Sequence, residues 1–531
     1  MFKSKGSQSS FYDSDYVCEL LVPKDSFYRK FRELVTPLIN DEQFEDMYTL
    51  DNGRPSISPA LLAMATILQF YRCLSDRDME RACMFDIEIK YALGLRLDER
   101  PFDHSSLCDF RQRLLQNSKE KAVFDRILNH LIEKGLVRKN EIQRIDATHI
   151  LANLAIPTMV SFVKKGIYEI LKPMEKHRKD LYAKVKRDMD ITEYCKARIN
   201  DDGPGRMDFE KRKRKLVGVV ADARKILELT KHMKADKEFK KPIEMLRRVL
   251  RENIEKDEDG NPIERPYKEK PKDLLVSPID PDARFGAKSK TKPFMGYKAN
   301  ITESVGNNII TNVVAMPGNA HDATTQVEAV VEQRKNGLVP AKVIGDSAYG
   351  RTVSRVELKK NGTNVVAPIY NKNDRTKGIY PKSMFKYDEK RKQITCPQGV
   401  TTRAAYWDQL HQLHNFHFPM HTCNACPVQK KCTRDADGRR TVGISIRHRE
   451  MMEAEEYNRS AQYMKDMRLR PAVERKLAEL VRYHGLRRAR YRGLKKLGLQ
   501  CFFTAAAVNI KRWIKLLMNK AGPPLPAMAR A

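Results

Sequence analysis

The chain has 531 residues, which is too many for one ordinary hydrophobic core, so its length predicts several domains. Its formal net charge of +32 is extreme for an enzyme of small-molecule metabolism and favours a polyanion such as nucleic acid as partner. No run approaches the roughly 18 apolar residues that cross a bilayer, and the first residues lack a hydrophobic signal core. We therefore expect no membrane partner and a cytoplasmic, nucleoid-associated location.

Residues 27–120 have the periodicity and the capping signals of an all-helical domain. Ser58, followed by a proline, opens an apolar helix, because Ser caps a helix and Pro suits its first turn. Further helices are predicted to begin at Ser75 and at Asp103. Such a domain either binds DNA with a helix in a groove or serves in dimerisation, and the sequence leaves both open.

The segment Gln143–Ile150 alternates apolar and polar residues as a strand does, and Asp146 lies inside it. A carboxylate in an apolar strand loses hydration and needs a cation, a metal ion or open water to offset that cost. Asp146 is therefore the first candidate for a functional residue. The alternative is a cap for the next turn.

After residue 271 the apolar period changes to two, which predicts strands at 292–304 and 309–316 joined by the turn Gly306-Asn307-Asn308. A second carboxylate, Asp346, then follows the short apolar strand 341–345. Ligands of open α/β sheets bind beyond the carboxyl ends of strands, where Asp346 would lie. The alternative for this residue is a helix N-cap.

The third candidate carboxylate lies in a helix that is expected to begin at Pro471. Helical phase decides between the two glutamates Glu474 and Glu479. At about 100° per residue, Glu474 lies at the edge of the apolar stripe, with Arg470 one turn back on the same side. Glu479 falls nearly opposite and is expected to face solvent. The phase therefore favours Glu474.

The stretch 482–496 is dense in Arg and Lys and contains two tyrosines. Guanidinium groups suit phosphate oxygens and aromatic rings stack on exposed bases, so we interpret it as a DNA contact; a solvated basic helix is the alternative. The candidate DNA-binding residues are Arg470, Arg482, Arg487, Arg488, Arg490, Arg492, Lys495 and Lys496.

The ten cysteines fall into isolated residues and one cluster. Five isolated cysteines are expected to be ordinary packed thiols: Cys18, Cys73, Cys83, Cys108 and Cys195. A Cys-x2-Cys pair with two more thiols can enclose a tetrahedral Zn²⁺ ion, so we expect a small zinc-ribbon-like insertion. Four reduced thiols or an iron–sulfur cluster are the alternatives. The candidate ligands are Cys396, Cys423, Cys426 and Cys432, with His411, His414, His417 and His421 as competitors.

Several of these segments resemble the DDE transposases of bacterial insertion sequences. Four N-terminal segments are similar to the helical domain of that family: Gly53-Arg54-Pro55, Ser75–Glu80, Leu93-Gly94-Leu95 and Phe110–Leu114. Three later segments resemble the motifs around its catalytic acids: Ile145–Thr148, Gly345-Asp346 with Tyr349, and Arg470 with Glu474. Met467 and Val481 depart from the family pattern, which has Tyr and Lys at these positions.

The loop 317–322 also resembles a family motif, in which His321 and Asp322 either line the site or only form a turn.

The resemblance implies an α/β fold: an RNase H-like catalytic core with an all-helical N-terminal domain, a helical insertion and a small Cys-rich insertion. The expected segments are a flexible N-terminus (1–26), the helical domain (27–120), the core (121–153 and 274–369), the charged helical insertion (154–273), the Cys-rich insertion (370–447), the Glu474 helix with the basic stretch and a closing helix (448–520), and a disordered tail (521–531).

The resemblance further implies that Asp146, Asp346 and Glu474 hold two Mg²⁺ or Mn²⁺ ions for DNA strand cleavage and strand transfer. The implied partners are double-stranded DNA, as terminal inverted repeats and target, and further copies of the chain in a homo-oligomer on DNA. Two other classes stay open. One is a catalytically silent DNA-binding protein descended from a transposase, and the other is a stand-alone metal-dependent nuclease.

Overall fold

The computed structural model divides into two compact units and mixes helices with strands, which confirms the α/β class. The first unit comprises 1–141, 145–338 and 472–531, and the second comprises 142–144 and 339–471. No helix within the described part of the chain is long and apolar enough to cross a membrane. The predictions for 1–11, the turn at 52–55, Cys195 and the tail 521–531 lie outside the described residues. Those residues are 12–14, 18–19, 21–49, 56–154, 158–194, 209–233, 236–289, 291–369 and 378–520.

The first unit begins with helices that share one apolar core. They are α1 (Phe27–Val35), α2 (Pro59–Arg72), α3 (Asp76–Phe85), α4 (Ile87–Leu93), α5 (His104–Gln116) and α6 (Ala122–Glu133), with 3-10 helices at Thr36–Leu38 and Asp41–Met47. As predicted, the Ser58 hydroxyl accepts the Leu61 N–H at the start of α2. The buried Asp41 carboxylate accepts hydrogen bonds from the Ser58 hydroxyl (2.7 Å) and the Ala60 N–H (2.9 Å), which suits the positive end of the helix dipole.

Strand β1 (Gln143–Leu151) leads into a helical insertion that has its own apolar core. The insertion contains α7 (Met159–His177), α8 (Lys179–Asp188), α9 (Phe209–Leu229), α10 (Lys237–Asn253), β2 (Ile254–Lys256) and β3 (Pro262–Glu264), with 3-10 helices at Lys231–Met233 and Tyr267–Glu269. Ile167, Ile226 and Ile243 are fully buried in this core. The charge-rich segment is therefore a packed bundle with its own hydrophobic interior.

Three antiparallel strands continue the first unit. They are β4 (Arg284–Ser289), β5 (Lys292–Ser304) and β6 (Ile310–Pro317), followed by a 3-10 helix at Asp322–Thr325, helix α11 (Gln326–Val331) and a 3-10 helix at Glu332–Asn336. β5 and β6 form the predicted hairpin, with Ala299 opposite Ala315. β1 neighbours β5. Gly296 of β5 permits this approach, because a Cβ there would lie 2.2 Å from the Ile150 carbonyl oxygen.

In the second unit three strands run parallel. After β7 (Lys342–Ile344) come a 3-10 helix at Ser347–Tyr349, helix α12 (Thr352–Lys360) and β8 (Asn364–Val366). Gln143, at the start of β1, lies opposite Val343 of β7, which lies opposite Val365 of β8. Arg355 covers β8, because its guanidinium donates to the carbonyl groups of Val365 (2.7 Å) and Ala367 (2.5 Å).

The rest of the second unit contains two small antiparallel sheets and four helices. They are β9 (Lys386–Asp388), β10 (Gln393–Thr395), β11 (Thr401–Thr402), β12 (Ala405–Asp408), β13 (Leu413–His417), α13 (Met420–Asn424), α14 (Gln429–Cys432), β14 (Thr441–Ser445), α15 (His448–Asn458) and α16 (Ala461–Met467), with a 3-10 helix at Lys382–Met384. One cluster of six buried apolar side chains lies between the sheets: Phe385, Ile394, Phe416, Phe418, Val442 and Ile444.

Two helices, α17 (Ala472–Tyr483) and α18 (Leu494–Lys520), complete the first unit. The apolar residues of α18 enter the core of the N-terminal helices, where Phe503 stacks on Phe70 with ring centroids 6.0 Å apart. Asn509 of α18 is fully buried and serves both main-chain groups of Ile310 in β6. Its Oδ1 accepts the Ile310 N–H and its Nδ2 donates to the Ile310 carbonyl, both at 2.8 Å.

Glu479 joins α17 to α18 through ion pairs with Lys476 (3.0 Å) and Lys511 (2.9 Å). Its side chain is only 26 % exposed, so the prediction that Glu479 faces solvent was wrong. The positive charges of two lysines, one of them from α18, stabilise the carboxylate of Glu479 at this partly buried position. Burial alone would raise the pKa of Glu479, but these ammonium groups lower it to about 2.

The Asn509 contact can be tested by replacing the residue with a similar-sized apolar side chain. Asn509→Leu leaves the buried N–H and carbonyl of Ile310 without partners and should lower the free energy of unfolding by about 1–3 kcal/mol. Asn117 is exposed, and its amide donates only to the Arg113 carbonyl. Asn117→Leu should change stability by less than about 0.5 kcal/mol. Denaturant unfolding measures both variants, and equal stability of the two would contradict the assigned role.

The Glu479 pairs predict a stability that depends on pH. Because the folded-state pKa lies below the ordinary value, the contribution is complete above about pH 4.5 and disappears as the pH falls toward 2. Glu479→Gln should destabilise the protein by about 1–2 kcal/mol at neutral pH, and the difference from wild type should shrink below about pH 4.5. Denaturant unfolding across this range checks it, with the exposed Glu42→Gln as control. A constant difference at all pH values would refute the ionic explanation.

Candidate functional site

Asp146 lies in β1 at a half-buried position, on the same face of the strand as the buried residues Thr148 and Ile150. Its Oδ1 accepts a hydrogen bond from the Ala147 N–H at 2.8 Å. The donor is a neutral group of the next residue, so this contact orients the carboxylate without changing the charge nearby. Asp146 is thus presented by a rigid strand, as the alternating pattern predicted.

Asp346 follows β7 directly and is also half-buried. Its Oδ1 accepts the Ala348 N–H at 2.8 Å and caps the 3-10 helix Ser347–Tyr349. Gly345 is needed for packing at this turn, because a Cβ there would lie 2.8 Å from the fully buried Tyr349 side chain. The Gly and Tyr of the Gly-Asp-x-x-Tyr pattern therefore pack against each other. The capping alternative for Asp346 is confirmed, because one of its two carboxylate oxygens caps the 3-10 helix.

Glu474 lies in the first turn of α17 and is exposed, next to the buried Val473. A carboxylate is favourable at this end of a helix, where backbone N–H groups point outward. Asp146 and Glu474 belong to the first unit and Asp346 to the second. The convergence of the three carboxylates on shared metal ions stays a prediction.

The segment after α17 pairs with the end of β1 through main-chain hydrogen bonds. The Leu151 N–H donates to the Arg487 carbonyl, and the Ala489 N–H donates to the Leu151 carbonyl, both at 2.8 Å. The Arg487 guanidinium also donates to the carbonyl of His149. These bonds link the strand of Asp146 to the segment that follows the helix of Glu474.

This pairing divides the candidate DNA-binding residues into two groups. Arg487 is directed at β1, and burial lowers the pKa of its guanidinium. Arg490 donates to the Leu74 carbonyl (2.6 Å) and lies over the Phe70 ring, 4.6 Å from its centroid. Both therefore have structural roles, and Arg470 is half-buried. The exposed candidates are Arg482, Arg488, Arg492, Lys495 and Lys496.

Of the two tyrosines of the basic stretch, one is exposed and the other is packed against the protein. Tyr483 is 66 % exposed, whereas Tyr491 packs under the Arg111 guanidinium, 5.2 Å from the ring centroid. Burial raises the pKa of the Tyr491 hydroxyl. Tyr483 is thus the tyrosine whose ring is exposed enough to stack on a base.

Two aspartates that the sequence analysis did not single out fix the start of α18. Asp280 accepts the Gly493 N–H (3.1 Å), and Asp282 accepts the Leu494 N–H (2.9 Å). Burial raises the pKa of the Asp280 carboxyl. The Asp-Pro-Asp sequence at 280–282 was the available signal, but nothing in it points to a helix more than 200 residues later.

The loop 317–322 forms a turn whose polar side chains all have hydrogen-bond or ion-pair partners. Asn319 donates to Asp273 (3.1 Å), the His321 ring accepts the Ala323 N–H (3.2 Å), and Asp322 pairs with Lys298 (2.8 Å). These contacts support the turn interpretation of His321 and Asp322 over a role in the site.

The four clustered cysteines line one small cavity of about 40 Å³ and are all partly buried. Burial raises the pKa of the Cys432 thiol, the nearby Arg440 opposes this rise, and the other three thiols add to it. The competing histidines lie elsewhere. His411 pairs with Asp408 (2.8 Å), and two others pack on aromatic rings: His414 on Trp407 and His417 on Tyr406.

Among the described residues, one group has three potential ligand atoms all within 4.8 Å of one another: Glu80, Asp103 and His104. Its contacts are those of a helix start. Asp103 caps α5 through the Ser105 N–H, and Glu80 accepts the His104 N–H at 3.1 Å. The His104 ring lies 3.0 Å from the same Glu80 oxygen. Capping therefore explains the group without a metal ion.

Comparison with known families gives two matches. Residues 395–514 match the family described as Transposase DDE domain, and residues 16–113 match the one described as Transposase domain (DUF772). The first match includes the clustered cysteines, Glu474 and the basic stretch, and the second includes most of the N-terminal helices. No curated protein and no solved structure matches the chain. These two matches support the identification of the chain as a DDE transposase of an insertion-sequence family.

Proposed function

We propose that this transposase cleaves and joins the ends of an insertion sequence by two-metal phosphoryl transfer with Asp146, Asp346 and Glu474. The main supporting observation is the pairing of Leu151 with Arg487 and Ala489. It brings the basic stretch to the end of the strand that carries Asp146. A DNA strand held by the exposed cations of this stretch would therefore pass close to the end of β1.

The proposed catalytic core is RNase H-like. In the first unit, β1 neighbours the antiparallel hairpin of β5 and β6, and in the second unit its start pairs in parallel with β7. Asp146 lies in this strand, and Asp346 lies directly after its parallel neighbour. Acids at the carboxyl ends of parallel strands are well placed to hold a ligand.

The three carboxylates of Asp146, Asp346 and Glu474 would hold two Mg²⁺ or Mn²⁺ ions. Hard cations of this kind prefer carboxylate oxygens and keep waters for substrate phosphates. When bound, such ions activate a water or a 3′-hydroxyl and stabilise the leaving oxygen. The Ala147 and Ala348 N–H groups each hold one oxygen of an aspartate, so these two carboxylates are oriented in advance.

The proposed substrate is double-stranded DNA, both as terminal inverted repeats and as target. The net charge of +32 and the exposed cations Arg482, Arg488, Arg492, Lys495 and Lys496 favour phosphate contacts. Joining two element ends needs at least two DNA sites, so we propose a homo-oligomer on DNA.

The acids are tested with variants that keep the shape of the side chain. Asp146→Asn, Asp346→Asn and Glu474→Gln should each reduce Mg²⁺-dependent cleavage of DNA carrying the element ends by on the order of 10³-fold or more. DNA affinity should change little, because other residues make the phosphate contacts. Gel-based cleavage and filter binding measure the two properties separately. Glu479→Gln is the matched control on the same helix and should keep full cleavage.

Each other outcome has a defined meaning. Full cleavage by Glu474→Gln would place the third acid elsewhere. Wild-type protein that binds the ends without cutting them would be a catalytically silent DNA-binding protein. A wild-type protein that cuts but does not join pre-cut ends would be a nuclease, and the transposase proposal would be wrong.

The exposed cations are tested by the salt dependence of DNA binding. The triple variant Arg488→Gln, Arg492→Gln and Lys495→Gln should lower the slope of log affinity against log salt by about 0.9 for each phosphate that the variant no longer neutralises. The control variant Lys184→Gln, Lys186→Gln and Arg187→Gln removes the same charge from the exposed face of α8. Its slope should match wild type. Equal slopes for both triple variants would mean that the basic stretch does not contact DNA.

A further inference from the structure

We propose that the second unit contains a structural Zn²⁺ site whose ligands are the thiolates of Cys396, Cys423, Cys426 and Cys432, with Arg440 as its buried counter-charge. The proposal concerns the folding of the Cys-rich insertion and does not depend on DNA cleavage. It selects one ligand set from the eight cysteines and histidines that the sequence offered.

The four cysteines come from two turns and one helix end that meet at one cavity. Cys396 begins the turn between β10 and β11, where its carbonyl accepts the Gly399 N–H at 2.9 Å. Cys423 and Cys426 form a second tight turn, with a Cys426 N–H to Cys423 carbonyl bond of 3.2 Å. Cys432 ends α14. Two turns and a helix end that each bring cysteine to one cavity are typical of a tetrathiolate zinc site.

The four competing histidines do not line this cavity. His411, His414 and His417 have the partners described above, and His421 is exposed. A ligand set of sulfur alone remains. Tetrahedral sites of four thiolates favour Zn²⁺ or iron–sulfur clusters among biological metals, and the Cys-x2-Cys pair Cys423/Cys426 supplies one of the two ligand pairs that a structural zinc site needs.

The environment of Arg440 is a second, independent observation that supports the metal site. It is only 8 % exposed, lines the same cavity, and forms no close ion pair with a carboxylate within the described part of the chain. Its guanidinium lies over the Phe385 ring, 5.2 Å from the centroid, and the Asp435 carboxylate attracts it without a direct contact. Its two terminal nitrogens donate to the carbonyl groups of Cys432 (2.8 Å) and Tyr380 (3.1 Å), while its buried Nε has no hydrogen-bond partner. A buried cation with an unpaired donor beside four thiols would be stabilised by negative charge on those thiols.

The zinc cluster would supply that charge. Four thiols lose their protons to the solvent when Zn²⁺ binds, and the resulting Zn(Cys)₄ group has a net charge of −2. Arg440 would offset half of it, and its Nε–H could donate to a coordinated sulfur. The cavity thus contains the counter-charge that a buried anionic cluster requires.

The small core beside the site gives a reason for a metal. Among the described residues, six apolar side chains are buried in this cluster, and Cys396, Cys423 and Cys432 pack against it. A core of this size contributes little stability, and small folds commonly add a metal or disulfides. Metal binding would therefore hold the three segments together around the core.

The thiols are close but do not yet have the spacing of a metal cluster. No three of them lie within 4.8 Å of one another, since among the described residues only Glu80, Asp103 and His104 meet that limit. Sulfurs around Zn²⁺ lie about 3.8 Å apart, given bonds of about 2.3 Å. Binding should therefore draw the three segments inward, as expected for a site that forms together with its metal.

The first experiment measures metal content in the untagged full-length chain. Elemental analysis should find about one zinc per chain, and titration with a mercurial that attacks thiolates should release it. The variant Cys423→Ser with Cys426→Ser should lose the zinc. The control Cys73→Ser with Cys108→Ser should keep it. These two thiols of the first unit are exposed, so the prediction that they are packed was wrong. Iron with visible absorption, or no metal even after refolding with zinc, would overturn the proposal.

A second measurement does not depend on whether the cysteine variants fold. Co²⁺ added to metal-stripped wild-type chain should give the intense absorption of a tetrahedral thiolate site and be displaced by Zn²⁺. Arg440→Met should keep the stoichiometry but lower the zinc affinity by about 10–100-fold in chelator competition, as other supporting residues of metal sites do. Unchanged affinity would remove Arg440 from the site, and a Co²⁺ spectrum without thiolate bands would refute the tetrathiolate.

Discussion

Two main-chain hydrogen bonds of Leu151 hold together the parts of the first unit on which the proposed chemistry depends. They join β1, which carries Asp146, to the segment that follows the helix of Glu474. The adjoining contact between His149 and Arg487 spans 338 positions of the chain. Closing so long a loop costs conformational entropy, and the apolar helix α18 offsets it by packing into the N-terminal core.

Four buried or half-buried arginines satisfy main-chain groups of the fold. Arg355, Arg440, Arg487 and Arg490 direct their guanidinium groups at main-chain carbonyl groups. A guanidinium has five N–H donors in a planar fork, so it can serve several carbonyl groups that no other partner reaches. The net positive charge therefore has two functions. Part of it satisfies the backbone, and only the exposed part is available to the proposed DNA substrate.

The candidate site combines local signals with long-range packing. Asp146 and Asp346 could be found from sequence because each interrupts or ends an apolar strand, which is a local pattern. Glu474 was selected by helical phase, which is local as well, and its role stays a prediction because the structure leaves its side chain exposed. Glu479 could not be placed, since its environment depends on Lys511, a residue of another helix 32 positions away. Helical phase describes one helix and does not include the partner that packs beside it.

Local sequence patterns also could not show which of the clustered cysteines and histidines come together. Their spacing predicted a metal site but left eight possible ligands, because histidines and cysteines are equally near in sequence. The tertiary structure separated them, since segments from three parts of the insertion bring only the cysteines to the cavity. It also revealed Arg440, whose position beside the thiols has no sequence signal.

The sequence by itself determined the features that depend on neighbouring residues: the cap of α2 at Ser58, the β5–β6 hairpin, the strands of the two aspartates and the helix of Glu474. These follow from local propensity and periodicity, which act over a few residues. Only the tertiary structure decided which cations stay exposed, that Glu479 is paired, and which thiols meet. Burial and charge pairing depend on distances between segments that are far apart in the chain, and those distances exist only after the core has packed.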